Sequence, residues 1–378
     1  MDLDHRTTGA AAATAIPSAI LKPLPPEVFV VHGASAETRW AAMRGQGHHT
    51  PTDRFFVRNH TATPLIDAAA WRLRLHGDGL PAPRAITYDE LRALPATVAD
   101  IAIECAGNGR AHFSAQRGTD YPGIPWGLGA IGVARWRGVP LRVLLELAGV
   151  RPAAVAVMPR GLDASYVEDG VDHGRVRRPL PIGKALDDVL VAYEMNGRPL
   201  PPDHGFPARL VVPGWSGVAS IKWLGDIEVS CAPLSSPWTT EFYLMTGPGH
   251  PAGPDAALAE QVVKSAFELP WPARLRAFAP QVLHGRSWSG HGRVIRVEVS
   301  VDGGRVWRAA ELLRPPAGDA GRSWTRWRLG WTPGAPGPAE LMARATDATG
   351  ARQPLASGPN DLGYHFDAVV RHPVTVVA

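Results

Sequence analysis

The stretch VIRVEVSVDGGRVW, residues 294–307, limits how this chain can fold more than any other. Ile295, Val297, Val299 and Val301 alternate with Arg296, Glu298 and Ser300, which puts the apolar set on one face of a strand. A helix would scatter the same residues around its circumference. Asp302, Gly303 and Gly304 then supply a hairpin turn, since glycine takes the positive φ such turns need without steric cost. Trp327, Leu329 and Trp331 alternate in WTRWRLGW, and ELMARATD and HPVTVV extend the series. The last third of the chain is committed to short strands.

About 110 residues of this kind fit an immunoglobulin-like sandwich over 261–378. Residues 31–245 mix both element types, so the predicted class is α+β followed by all-β. TYDELRALP offers Thr87 as N-cap, Glu90 as its capping-box partner and Pro95 as a stop. PLRVLLELAGV puts Leu141, Leu144, Leu145 and Ala148 on one helix face, closed by Gly149. RLVV (209–212) and VAVM (155–158) read as strands. Residues 246–260 read as a linker, and 1–30 as a flexible arm that orders only on docking.

At 378 residues, with 45% apolar and 20% charged residues, the chain can form two packed domains. A net charge of +4 without a long basic run does not by itself indicate nucleic acid; an anion held by a local arginine cluster fits equally well. Two cysteines make no disulfide framework, and no apolar run approaches the ~18 residues of a membrane span. The opening MDLDHRTTGAAAATAIP lacks the features of a secretory signal, so a cytoplasmic protein is expected, or a periplasmic one had a leader been removed.

Cys105 ends the apolar run Ile101, Ala102, Ile103 and enters the turn CAGNGR. A strand running into a tight polar turn presents a thiol, as a soft metal ligand, as a nucleophile, or as an inert buried group. No CxxC or Cys/His spacing supports zinc. FFVRNH gathers Arg58, Asn59 and His60 behind two aromatics. In the segment 203–229, His204, Arg209 and Lys222 flank a Pro/Gly-rich turn whose N–H groups and cations suit a phosphate.

Together CAGNGR, FFVRNH, AYEMNGRPLPPDHGFPARLVVPGW and SIKWLG resemble the signature segments of the sulfite oxidase family of molybdenum–molybdopterin enzymes, in the family's order. WSGHGRVIRVEVSVDGGRVW is similar to the start of that family's dimerisation domain, so the resemblance spans about residues 30–378. It implies that Cys105 gives a thiolate to molybdenum beside the pterin dithiolene. Phe56, Val57, Arg58, Asn59 and His60 would lie along the pterin, with Arg58 also facing a substrate oxyanion. Asp163 in RGLD would bond the pterin's polar edge, and His204, Arg209, Ser220, Ile221 and Lys222 would hold the pterin and its phosphate. Arg110 and Trp126 would frame the anion pocket, and Tyr243 would hydrogen-bond the transferred oxygen. A homodimer is implied, with Trp324, Trp327 and Trp331 expected on exposed strands at its contact.

Three positions depart from the family pattern. Gly109 stands where CAGNRR has an arginine, Phe242 stands where an acid often precedes the tyrosine, and Leu362 occupies the place of a further pocket arginine. The anion pocket is therefore expected to be less cationic. The implied activity is two-electron oxygen-atom transfer, sulfite to sulfate, with no haem segment and electrons passing to a separate acceptor. The alternatives are the same cofactor chemistry on nitrate, another small oxyanion or a sulfoxide, and a non-catalytic binding module on the β-sandwich.

Overall fold

The computed structural model describes residues 19–378; most of the expected arm, residues 1–18, lies outside them. Residues 19–30 are docked. The Leu21 and Lys22 amides donate to the Asp203 carboxylate at 2.7–3.1 Å, and Ile20 and Phe29 are buried.

Two five-stranded assemblies organise the first domain. In one, Leu180–Pro181, Ala156–Gly161, Leu224–Ser230, Arg72–His76 and Arg84–Thr87 lie side by side in that order. In the other, Arg198–Pro199, Leu190–Met195, Ile131–Pro140 and Thr97–Glu104 do, with Arg209–Val211 added to Leu190–Met195. The helix Leu141–Leu147 closes one face with Leu141, Leu144 and Leu145 fully buried, as its periodicity predicts. Thr87 and Glu90 form the predicted capping box on the helix Tyr88–Ala93. The segment 246–260 is packed rather than free: Leu244 bridges Ala257, Trp215 bridges Glu260, and Leu258 is buried.

The C-terminal domain has two sheets around one apolar cluster that includes Val297, Val299, Trp327, Leu341 and Val374. One sheet orders Lys264–Phe267, Gln281–Trp288, Thr325–Trp331 and Glu311–Leu312. The other orders Ala273–Arg276, His372–Val377, Gly337–Asp347, Val294–Ser300 and Arg308–Ala309. The pairing of Ala273–Arg276 with His372–Val377 is parallel.

Two expectations about this domain are corrected. A bulge between Val294 and Arg296 breaks the alternation, so Val294 turns inward and Ile295 is 53% exposed. Trp324 and Trp327 are not exposed for a partner; they are 1% and 0% exposed within the chain. Trp327 fills the domain's own core. Trp324 faces the first domain, with its ring 6.1 Å from Trp40 and its Nε1–H donating to the His48 carbonyl at 2.7 Å. Arg286 lies over the Trp324 ring, pairs with buried Glu268 at 2.8 Å and donates to the His48 and Gln46 carbonyls. Of the aromatics that suggested a surface between copies, Trp324 joins the two domains of one copy, and Trp327 and Trp331 pack in or against the C-terminal domain's own core.

Candidate active site

Cys105 follows the end of strand Thr97–Glu104 and is 7% exposed, its amide bonded to the Ala130 carbonyl at 2.9 Å. Neighbouring Asn108 shapes the turn. Its Nδ2 donates to Glu104 Oε1 at 2.9 Å, and its Oδ1 accepts from the Ala130 amide at 3.0 Å. Gly109 then takes φ +99°, and a Cβ there would lie 2.8 Å from the Phe366 ring. This accounts for the first departure: both the backbone and Phe366 exclude an arginine at this position. The helix Arg110–Arg117 begins immediately after.

Two adjoining clefts meet at this turn. The narrower, about 80 Å³, is lined by every residue of the expected pterin set: Phe56, Val57, Arg58, Asn59, His60, Asp163, His204, Arg209, Ser220, Ile221 and Lys222. The wider, about 490 Å³, is lined by Arg110, Trp126 and Leu362 among others. Arg58, Asn59, His60, Cys105 and Tyr243 line both. Residues 140 positions apart in sequence thus converge because sheet, turn and docked N-terminal segment share one edge; Thr63 Oγ1 donates to Asp203 at 2.6 Å across that span.

The narrow cleft is cationic and incompletely satisfied. The Lys222 ammonium donates to Asn59 Oδ1 and to the Asp203 carbonyl at 2.9 Å. Burial, aided by Arg209, holds its pKa well below the usual lysine range. Arg209 donates to the His204 and Ser220 carbonyls at 3.1 and 3.0 Å, and burial lowers it to about 9. Burial keeps His204 neutral and pushes the Asp163 carboxyl up to about 6. His204 Nε2 and Asp163 Oδ1 are buried without a hydrogen-bond partner among the described residues. Buried cations without a contacting carboxylate, beside orphaned polar atoms, call for a polar anionic ligand.

Where the clefts join, Tyr243 sits at φ +58°, a conformation non-glycine residues rarely hold outside a functional constraint. The Trp238 indole N–H donates to His60 Nε2 at 3.2 Å, so that nitrogen carries no proton. The Tyr243 hydroxyl, 3.2 Å from the same nitrogen, therefore donates to it and accepts from Arg58 Nη2 at 3.4 Å. Burial holds His60 neutral and raises the Tyr243 phenol. Arg110 donates from Nε to the Leu362 carbonyl at 3.0 Å and from Nη1 to the Ile124 carbonyl at 2.9 Å. Its Nη2 has no hydrogen-bond partner among the described residues.

Residues 60–238 match the "Oxidoreductase molybdopterin binding domain", and 259–371 the "Mo-co oxidoreductase dimerisation domain". The chain is 37% identical over 327 residues to the sulfite oxidase of Gallus gallus, covering 82% of this chain and 69% of that one. The chain belongs to the sulfite oxidase family. The family also accounts for a 32% identity over 332 residues to the NADH nitrate reductase of Ulva prolifera, of which this chain spans 37%. The crystal structure of the sulfane dehydrogenase SoxCD from Paracoccus pantotrophus is similar with a TM-score of 0.78 and 28% identity, covering 96% of this chain and 92% of that one. This chain is accordingly a molybdopterin oxidoreductase.

Several lining residues escaped the sequence reading. Asp203 precedes His204 inside a quoted segment and was legible there; its carboxylate anchors the N-terminal segment through Leu21 and Lys22. Tyr166 and Glu168 come from the hairpin 166–173, which carries no motif, and Tyr364 stacks on Tyr243 at 5.4 Å. Phe242, the second departure, packs against His173 at 4.9 Å, and Glu241 beside it reaches His173 Nδ1 at 3.3 Å.

Proposed function

We infer that this chain oxidises sulfite to sulfate with water as the oxygen source, holding molybdenum–molybdopterin in the narrow cleft and the anion in the wide one. The observation that carries the reading is the cationic cleft ending at Cys105, where Lys222 and Arg209 have no contacting carboxylate and His204 Nε2 and Asp163 Oδ1 are buried without a hydrogen-bond partner among the described residues. Cys105 is the thiolate ligand in this reading. Among the described residues no group of three His, Cys, Asp or Glu is gathered for a metal, so a metal at Cys105 takes its other ligands from a cofactor. When bound, the group supplies the two-electron redox change and oxygen exchange with water.

The chain's own part is binding and positioning. Arg58 and Arg110 supply charge-assisted hydrogen bonds to the oxyanion from a partly water-excluded floor. Arg58 and His60 position the Tyr243 hydroxyl; its proton turns from His60 Nε2 to the reacting oxygen when substrate binds, leaving the Trp238 indole N–H as the donor to that nitrogen. Trp126, fully buried, walls the cleft. Electrons leave to a separate acceptor in this reading. No helix among the described residues is long and apolar enough to cross a membrane. The C-terminal two-sheet domain is immunoglobulin-like and forms a homodimer in this reading, supported by its match to the dimerisation domain. Sedimentation at micromolar concentration is expected to give twice 40.4 kDa; a monomer removes the dimer. Loaded protein is expected to hold about one molybdenum per chain and to reduce ferricyanide on sulfite addition. Metal-loaded protein inert to sulfite but active with nitrate or a sulfoxide overturns the substrate.

Leu362 lines the wide cleft and brings no charge to it. Arg371 and Arg135 do not make up the charge: Arg371 pairs with Glu340 at 2.9 Å and Arg135 with Asp100 at 2.9 Å, and neither lines the cleft. Sulfite is expected to bind with a KM at or above about 1 mM. Leu362→Arg should lower that KM about tenfold with little change in kcat, as one added charge-assisted hydrogen bond in the ground state does. Measuring both proteins at one ionic strength checks this; a micromolar KM in the unmodified protein refutes it.

A further inference from the structure

The wide cleft is larger than sulfite requires and changes charge along its length. A four-heavy-atom anion fills only part of a cleft of about 490 Å³. The floor is cationic through Arg58 and the free Nη2 of Arg110. The walls are aromatic, formed by Tyr166, Phe242 and Tyr364. Two carboxylates, Glu168 and Glu241, line the same cleft from exposed positions. Glu168 accepts from the Tyr166 hydroxyl at 2.8 Å, which turns it toward the aromatic wall, and Glu241 side by side with Phe242 is 3.3 Å from His173. A compact dianion gains nothing from these walls and is repelled by the carboxylates. A longer molecule with an anionic sulfur end, a short apolar middle and a cationic end matches all three zones.

We propose that the wide cleft accepts ω-aminoalkanesulfinates, oxidised at sulfur by the same site. This rests on the reading that the site oxidises sulfur oxyanions. The sulfinate oxygens occupy the arginine floor, the alkyl chain lies along Tyr364 and Phe242, and the ammonium reaches Glu168 and Glu241. The conversion R–SO2⁻ + H2O → R–SO3⁻ + 2H⁺ + 2e⁻ is the redox change sulfite undergoes. One S–O bond forms, the sulfur lone pair leaves as two electrons to a one-electron acceptor such as ferricyanide, and both water protons are released. Glu168 and Glu241 are specificity residues here; they do not touch the reacting sulfur.

The test compares 2-aminoethanesulfinate with 1-propanesulfinate, which has the same number of heavy atoms without the charge, on metal-loaded protein with ferricyanide. The expected result is about a tenfold preference in kcat/KM for the amine, falling to within about threefold in Glu168→Gln/Glu241→Gln. Both positions are exposed, so the double variant tests charge with its fold kept, checked by circular dichroism. In parallel, calorimetry titrates 2-aminoethanesulfonate, the product, into wild type and double variant; binding about tenfold weaker in the variant supports the proposal. Equal use of the two sulfinates alongside sulfite turnover overturns the proposal and leaves the sulfite reading standing. If sulfite and both sulfinates are inert, the parent reading fails, and the product titration decides the cleft: no difference between wild type and variant overturns it.

Discussion

Cys105→Ser is expected to leave a folded protein whose turnover falls by more than about 100-fold. Loss of an outer partner that merely orients a metal ligand already costs 10–100-fold, and this change removes the proposed ligand atom itself. The fold should survive because the turn does not depend on sulfur: Cys105 is held by its amide to Ala130 and by its carbonyl, which accepts from the Asn108 amide at 2.9 Å. Serine is smaller and occupies the same rotamer space, but its hydroxyl is a harder donor than a thiolate. The pterin is gripped elsewhere, by Lys222, Arg209 and His204 in this reading, so pterin content should be retained while metal–sulfur coordination drops by one. X-ray absorption at the molybdenum edge reads that count directly. An unchanged count in the variant takes Cys105 out of the site, whatever happens to activity.

The residues that line the narrow cleft were more legible in sequence than what packs around them. FFVRNH, CAGNGR and the 192–225 block each keep their cleft-lining side chains within one short stretch, so local motif and position along the cleft coincide. All twelve residues expected to touch cofactor or metal line the narrow cleft. Features that depend on what packs across a gap were not legible. Ile295 obeys a period of two in sequence, yet a bulge one residue away turns it outward. Trp324 and Trp327 look like surface aromatics on alternating strands, and only the approach of His48 and Trp40, 276 and 284 residues upstream, shows what buries Trp324. Gly109 reads as a lost cation until Phe366 is seen to occupy the space. Glu168 and Tyr166 sit in a hairpin whose composition says nothing about the cleft it borders.

The second large effect is expected at Lys264, which no motif singled out. Its ammonium, 1% exposed as a residue, lies 2.7 Å from Glu104 Oε1 and 2.7 Å from the Asn108 carbonyl. Lys264 belongs to the C-terminal domain, whereas Glu104 and Asn108 bracket Cys105, so one buried cation ties that domain to the turn that carries the thiol. Lys264→Met strands the Glu104 carboxylate in a dry site with only the Asn108 amide to satisfy it. Leaving one partner of a buried pair uncompensated costs about 3–5 kcal/mol. Thermal denaturation should therefore show a fall in Tm of about 10 °C. Adding Glu104→Gln restores neutrality and should recover more than half of the loss, because the amide no longer carries an unpaired charge. The stability term and the site term then separate. If Lys264 only supports the fold, the double variant regains metal content together with Tm. If it also positions the turn through the Asn108 carbonyl, the double variant regains Tm while molybdenum content and sulfite kcat stay low, since neither methionine nor glutamine replaces that bond. A Tm within about 1 °C of the parent in the single variant would show that water reaches Glu104 and that the interdomain tie contributes little.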